Sequence, residues 1–489
     1  MKLSQLLSAV VTEQVSGEDN IEISGITADS RQVQPDWLFV AVPGPVSDGH
    51  DYIGKAIAAG AVAVVCERVP AQMPTGVTFV RVPDAALALG FLADEWYGHP
   101  SRKLTLVGVT GTNGKTTVAT LLYEMARLLG RKAGLLSTVC NRVDDREYPT
   151  HNTTPSPLEI NRLLSEMVDC GCSFAAMEVS SHGMVQKRTA GLFFAGGIFT
   201  NITRDHLDYH KTFANYLAAK KSFFDSLPAT AWALTNADDA NGMVMLQNTR
   251  ARKCTYSMRS AATFRGRILE QRMDSMLLNI DGHEVETQFA GRFNAYNLLA
   301  VYGAAVMLGV EQLEACRLVS QLVPVAGRFQ LFKSDDGVTA VVDYAHTPDA
   351  LQNVLATIRE AMGDRGDIVT VTGCGGNRDH GKRPQMGEIA ARLSQRVIIT
   401  SDNPRDENPE DIAQDIANGI PVDTAAQVDT ILERAAAIHV AITEAKPGDV
   451  VLVAGKGHEP YQIFADGRTV HFDDREQVRS ALSLRPHNF

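Results

Sequence analysis

Leu104-Thr-Leu-Val-Gly-Val109 runs into Thr110-Gly111-Thr112-Asn113-Gly114-Lys115-Thr116-Thr117 and then into Val118-Ala-Thr-Leu-Leu122. The first run is short and largely apolar, as in a strand buried on both faces, and the last has helical character. Strand, glycine-bearing loop and helix in that order form the setting of a phosphate-binding loop. Glycines let backbone N–H groups wrap an anion, and the helix N-terminus adds its positive dipole. Lys115 is placed to reach outer phosphates, and Thr116 to put its hydroxyl on Mg²⁺. The long Gly-x-x-x-x-Gly-Lys-Ser/Thr form is not met, because residue 109 is Val; only the Gly-x-x-Gly-Lys-Thr-Thr core fits. A nucleotide site is the expectation, against a plain glycine turn that caps a helix.

On the amino-terminal side, Trp37–Val42 and Ala61–Val65 read as strands, with a helix-like stretch from Asp51 to Gly60 between them and a helix over Pro83–Trp96. Tyr97-Gly-His-Pro-Ser101 carries two breakers and predicts a domain boundary. On the other side, Phe174–Val179 and Gly197–Ile202 read as further strands. Residues 253–290 alternate in character, which predicts antiparallel strands appended to the sheet, and a helix runs from Ala295 to Leu308. After Pro324 a second strand–helix series begins, with strands at Val338–Val342, Asp367–Thr372, Arg396–Thr400 and Asp449–Ala454. Alternating strands and helices predict parallel α/β sheets. At about 100–200 residues per domain, 489 residues suggest three domains.

Composition narrows the function classes. With 46 Lys and Arg against 57 Asp and Glu, the net charge is −11, which argues against a broad basic surface for nucleic acid or anionic lipid. The seven cysteines (Cys66, Cys140, Cys170, Cys172, Cys254, Cys316, Cys374) are scattered and form no Cys-x-x-Cys pair, so disulfide frameworks and zinc ribbons are disfavoured. No run of about 18 apolar residues exists to span a bilayer. A cytoplasmic protein that contacts no membrane is the expectation.

Polar clusters follow the predicted strands, where α/β proteins bind ligands. Glu178 in Met177-Glu-Val-Ser-Ser-His182 is a candidate Mg²⁺ ligand or half of a structural ion pair. In Thr200-Asn-Ile-Thr-Arg-Asp-His206-Leu-Asp-Tyr-His210 the two histidines at i and i+4 suggest a helical metal site, but no zincin glutamate or third ligand stands nearby, so a single histidine contributing to a Mg²⁺ site or positioning phosphate is the better reading. Lys220, taken alone, reads as a solvated surface charge. In the second series, Asp343 is suited to a ribose hydroxyl, and Gly373–Pro384 is a glycine-rich cationic loop. Arg405 is suited to a carboxylate, with Asp402 and Asn403 suited to an ammonium. Gly455-Lys-Gly-His-Glu459 ends the last strand.

Together, Thr110–Thr117, Glu178–His182, Asn201…Arg204-Asp-His206, Gly291…Asn294…Asn297, Gly327-Arg328 and Asp343–His346 resemble the Mur ligases of peptidoglycan synthesis, in order and over essentially the whole chain. The resemblance implies three α/β domains. A central P-loop parallel-sheet ATPase domain (101–325) is flanked by an N-terminal nucleotide-substrate domain (1–100) and a C-terminal Rossmann-like amino-acid domain (326–489). Asp402-Asn403-Pro404-Arg405 is similar to the motif of members that add meso-2,6-diaminopimelate to UDP-N-acetylmuramoyl-L-alanyl-D-glutamate. Lysine-adding members typically lack that arginine.

The same resemblance implies site roles. Gly111, Thr112, Asn113, Gly114, Lys115, Thr116 and Thr117 would hold ATP, with Asn294, Arg328 and Asp343 on its nucleoside side. Thr116, Glu178, His206 and Lys220, the last as a CO₂-derived carbamate, would bind Mg²⁺. Lys115, Lys220 and His206 would be catalytic. Ser30, Asn152, Thr153, Thr154, Ser180, Gln186 and Arg188 would hold the muramoyl dipeptide, with Ala28 and Pro45-Val46-Ser47 near its uridine. Arg378, Asp402, Asn403, Pro404, Arg405, Gly455 and Glu459 would hold diaminopimelate. The family expectation is a monomer. Two competing readings are a folylpolyglutamate synthase, which shares the fold and phosphate loop, and a nucleotide-switched binding protein without ligase chemistry.

Overall fold

A computed structural model describes residues 1–44, 47–150 and 152–485. The fold is α/β and is built on three main sheets that succeed one another along the chain. The first has five strands in the spatial order Gln14–Ser16, Thr78–Arg81, Ala61–Cys66, Trp37–Val40, Gly25–Thr27, all parallel except the first. Its helix Ala85–Trp96 starts at Asp84, whose carboxylate accepts from the Leu87 amide. That helix packs on the second unit through Gly90, where a Cβ would lie 2.5 Å from the Ala190 methyl. The stretch 51–60 is not one helix: a 3-10 turn at Gly49–Tyr52 precedes a short helix at Ile53–Ala58.

The second sheet has eleven strands. At its centre Thr105–Thr110 lies between Phe174–Glu178 and Gly196–Phe199, parallel to both. Glu178 is level with Val109, and Phe199 with Thr110. The chain therefore leaves all three strands at one sheet edge. Both faces are covered: Val107 and Val109 belong to a core with Leu298 and Tyr302, and Leu106 to one with Phe194, Phe223 and Phe224. Burial on both sides accounts for the apolar character of the central strand. The expected antiparallel extension is present as Phe264–Gln271, Met276–Ile280 and His283–Thr287. Its first strand pairs in parallel with Arg252–Ser257.

The third sheet runs Gln330–Lys333, Thr339–Asp343, Val450–Ala454, Ile368–Thr372, Arg396–Ile399, Gln427–Thr430, with only the first strand antiparallel. The last strand in sequence is inserted beside the first parallel one. The loops after Asp343, Thr372, Ile399 and Ala454 therefore share a single edge. All seven cysteines are free thiols. Among the described residues no helix is long and apolar enough to cross a membrane.

Candidate functional site

The phosphate loop is shaped by two glycines. Gly114 has φ +85° at the start of the helix Lys115–Leu128, a conformation that L side chains rarely adopt. A Cβ at Gly111 would lie 1.9 Å from Thr200 Oγ1. Lys115 donates to the carbonyls of Gly111 (3.0 Å) and Thr112 (2.9 Å). The neighbouring strand end braces the loop: Asn201 Oδ1 accepts from the Asn113 amide, and Thr200 Oγ1 donates to the Asn113 carbonyl.

Lys220 is not a surface charge. It is 1% exposed and donates to the Gly111 carbonyl at 2.6 Å. Its helix, Phe213–Ser226, buries Tyr216, Ala219, Phe223 and Phe224, and Lys220 falls in the same stripe. Burial, reinforced by the charge of Lys115, pushes the Lys220 ammonium well below its usual pKa, and burial likewise lowers Lys115.

Glu178 is fully buried. Its carboxylate accepts from the Thr138 amide (2.8 Å) and hydroxyl (3.2 Å) and makes no ion pair among the described residues. The two-histidine helix face that the spacing suggests does not form, in keeping with the single-histidine reading. His206 adopts φ +54° just ahead of the four-residue helix Leu207–His210, and His210 is buried against Ser181 Oγ at 2.9 Å. Among the described residues no three His, Cys, Asp or Glu side chains gather as a metal cage. A divalent ion here would need hydroxyl and phosphate oxygens as well. The donor set fits that need: Thr116, Glu178 and His206 line one cleft, and Glu178 is a buried carboxylate that makes no ion pair among the described residues.

The cleft has a volume of about 430 Å³ and lies between the second and third sheets. Residues 112–117, Thr153, Glu178, His206, Arg328 and Asp343 line it, whereas Gly111, Asn294 and Lys220 stand behind its wall. Asn294 donates to the Ala290 carbonyl and accepts from Asn297, which does line the cleft. Arg328 Nη2 donates to Thr116 Oγ1 (3.1 Å), and Asn113 Nδ2 donates to Asp349 Oδ2 (3.0 Å). The loop is thus tied to the third unit at two points. Asp343 accepts from the Phe329 and Ala345 amides, and burial raises its pKa. Tyr296, which donates to Asp238 at 2.8 Å, completes one wall. Of these, Thr138, Asp238, Tyr296 and Asp349 carry no motif that would have marked them in the sequence.

The residues expected for the muramoyl dipeptide form a network that ends on Glu178. Thr138 Oγ1 donates to Thr153 Oγ1, and Thr154 Oγ1 donates to the Glu178 carbonyl and to Ser180 Oγ. Arg188 donates to the Thr154 carbonyl and, through Nε and Nη2, to Gln186 Oε1. Asn152 is exposed beside this network. Ser30 lies apart, in the turn after Gly25–Thr27, flanked by the forked Arg31–Asp29 pair. Ala28 and Ser47 are described, whereas Pro45 and Val46 lie outside the described residues.

The residues expected for diaminopimelate also converge. Asn403 Nδ2 donates to Glu459 Oε2 (3.0 Å), and Arg405 donates to the Gly376 carbonyl (2.8 Å). Burial and, after it, the nearby Arg378 lower the Arg405 pKa, against the opposing pull of Asp402 and Glu459. Pro404 precedes Arg405, whose φ is +53°. A Cβ at Gly455 would fall 2.7 Å from Asp402 Oδ2. Tyr344 joins the two regions: it lines the cleft and its hydroxyl donates to Glu459 Oε1 (3.2 Å).

Comparison with known proteins matches three successive models: "Mur ligase family, catalytic domain" over residues 22–97, "Mur ligase middle domain" over 109–305, and "Mur ligase, glutamate ligase domain" over 327–457. The chain belongs to the Mur ligase family. As a Mur ligase it is an ATP-dependent ligase. It is 56% identical over 99% of its length, and 100% of the relative's, to a UDP-N-acetylmuramoyl-L-alanyl-D-glutamate–2,6-diaminopimelate ligase of Parabacteroides distasonis. It is 53% identical, over 99% of its own length and 100% of the relative's, to the enzyme of the same name from Bacteroides fragilis. A solved structure of a ligase of that name matches 99% of both chains at 31% identity, with a TM-score of 0.69.

Proposed function

We propose that this Mur ligase joins meso-2,6-diaminopimelate to UDP-N-acetylmuramoyl-L-alanyl-D-glutamate, converting ATP to ADP and phosphate. The names of its relatives support the substrates. The observation that carries the reading is the link through Tyr344 between a cleft lined by Lys115 and Glu178 and a subsite built from Asn403, Arg405 and Glu459. The three units then have separate duties: 1–100 holds the uridine end, 101–325 holds ATP and the dipeptide, and 326–489 selects the amino acid.

In the first step the D-glutamyl γ-carboxylate attacks the γ-phosphorus and ADP leaves, forming an acyl phosphate. Lys115 gives up its contacts with the Gly111 and Thr112 carbonyls and places its charge on the transferred phosphoryl group. In the second step the diaminopimelate amine attacks the acyl carbon, phosphate leaves, and the nitrogen loses a proton to give the amide. Arg378 and Arg405 would face the distant carboxylate, and Asp402, Asn403 and Glu459 the ammonium beside it. Arg328 and Asp349 would hold the third unit against the phosphate loop, so that amine and acyl phosphate meet away from water.

Thr116, Glu178, His206 and a carbamate on Lys220 would hold Mg²⁺, which when bound neutralises phosphate charge. The buried amine of Lys220, held below its usual pKa, is suited to take up CO₂ as its neutral form. The folate reading leaves the five-stranded first unit without a task. Phosphate release that requires ATP, the muramoyl dipeptide and diaminopimelate together, and that fails with L-lysine, is the expected result. Release indifferent to the amino acid would refute the assignment and favour a nucleotide-switched binding protein.

A further inference from the structure

Lys456 has no exposed surface, and none of the roles given above uses it. Its ammonium donates to Asn403 Oδ1 (3.0 Å) and Glu459 Oε2 (3.3 Å) and stands 3.6 Å from Asp402 Oδ1. These acceptors come from two loops, one after the strand Arg396–Ile399 and one after Val450–Ala454. One buried cation therefore gathers the polar groups of both. The amide of Asn403 is fully oriented by this arrangement. Its Oδ1 also accepts from the Ile463 amide (3.0 Å), and its Nδ2 donates to Glu459.

A layer below, the fully buried Arg434 pairs with Asp474 at 2.7 Å and donates to the carbonyls of Ala454 (3.1 Å) and Ser401 (3.5 Å). Each loop is thus pinned at its root by Arg434 and at its tip by Lys456.

The charges around this point are unequal. Asp402 and Glu459 bring two carboxylates, and Lys456 cancels one of them. One net negative charge is left to meet an ammonium, beside Arg378 and Arg405, which await a carboxylate. That pattern is complementary to a carbon bearing both groups, an amino-acid zwitterion. Without Lys456 both carboxylates would lose their nearest counter-charge, leaving the more distant Arg405 and Arg434 opposite them. The pocket would repel the substrate carboxylate and penalise less an amino acid that lacks one.

We propose that Lys456 is a positioning residue that sets both the geometry and the net charge of the amino-acid subsite, and thereby the preference for a zwitterionic side-chain terminus. The proposal rests on the reading of diaminopimelate as substrate.

The test measures phosphate release by the full-length enzyme against diaminopimelate, L-lysine and ATP in turn, comparing wild type with Lys456→Met. The expected result is a KM for diaminopimelate raised about tenfold or more, with the preference over L-lysine reduced to a similar degree and the KM for ATP near wild type. Unchanged KM and preference, or a rise shared equally by ATP, would overturn the proposal. Where Lys456→Met does not fold, Lys456→Arg is read instead. It keeps the charge, but its planar fork does not converge on one point, and it too should raise the diaminopimelate KM. An unaltered KM in that variant, or loss of the fold in it as well by circular dichroism, overturns the proposal. If the wild-type enzyme itself releases no phosphate with diaminopimelate, the reaction assignment falls and the proposal with it; release by wild type with unchanged variants sinks only the role of Lys456.

Discussion

Lys220 Nζ donates to the Gly111 carbonyl at 2.6 Å, across 109 positions of the chain. The amine sits beneath the phosphate loop, near the charge of Lys115, in a place where a second ammonium is costly. Conversion to a carbamate would replace that positive charge with a carboxylate-like ligand. Lys220→Ala is expected to lose activity by about 10- to 100-fold, with partial recovery at high Mg²⁺ or on addition of a short-chain carboxylic acid. Wild-type phosphate release by the variant would eliminate the carbamate.

Arg405 donates to the backbone carbonyls of Gly376 and Asn403 and has no anionic hydrogen-bond partner among the described residues, with Arg378 close by. A charge-assisted contact to the diaminopimelate carboxylate is worth about 1.5–3 kcal/mol, or roughly 10- to 100-fold in kcat/KM. Arg405→Ala should lose that factor for diaminopimelate and much less for L-lysine. Steady-state rates that leave the ratio of the two substrates unchanged would remove Arg405 from recognition.

Gly114 combines φ +85° with a Cβ position 2.5 Å from Asn297 Oδ1. Gly114→Ala adds backbone strain of about 1–3 kcal/mol and displaces an asparagine that lines the cleft. Both effects should weaken ATP binding. Calorimetric titration with an ATP analogue tests this, and an unchanged Kd would mean that the loop relaxes without cost.

Asp336 in the third unit is held down to about 2, first by its hydrogen bond to Arg485 and then by Ser334, against an ordinary value of 3.8. The fold favours its ionised form. Its contribution to stability is therefore complete above pH about 4 and disappears as pH falls through 2. Asp336→Asn should flatten the loss of thermal stability across that window. Midpoint-against-pH curves that stay parallel for the two proteins would show that other carboxylates govern the acid limb.

Much of the fold was legible locally. The apolar run at 104–109 appears as the strand Thr105–Thr110, and the helix expected at 295–308 as Arg292–Met307. Lys220 reads as a surface charge only when it is taken singly. Tyr216, Ala219, Phe223 and Phe224 already trace one helical face, and position 220 is four residues from Tyr216 and three from Phe223. The spacing of the histidines at 206 and 210 shows the opposite limit. Their spacing suits a helix, but His206 takes a left-handed conformation and ends outside it.

Residue order alone determined which segments are strands and helices, where the glycine-rich turns fall, and which chemical groups each strand end carries. Those properties depend on side-chain periodicity and on backbone preferences within a few residues. Only the tertiary structure decided which groups meet. Thr138 reaches Glu178 because of the order of strands in the second sheet, and Lys456 reaches Asn403 because a late strand is inserted within the third. Tyr344 connects Glu459 to the cleft beside the phosphate loop because the second and third units face each other there. Such contacts depend on sheet order, register and the docking of whole layers, which join residues tens to hundreds of positions apart and leave no periodic trace in the chain.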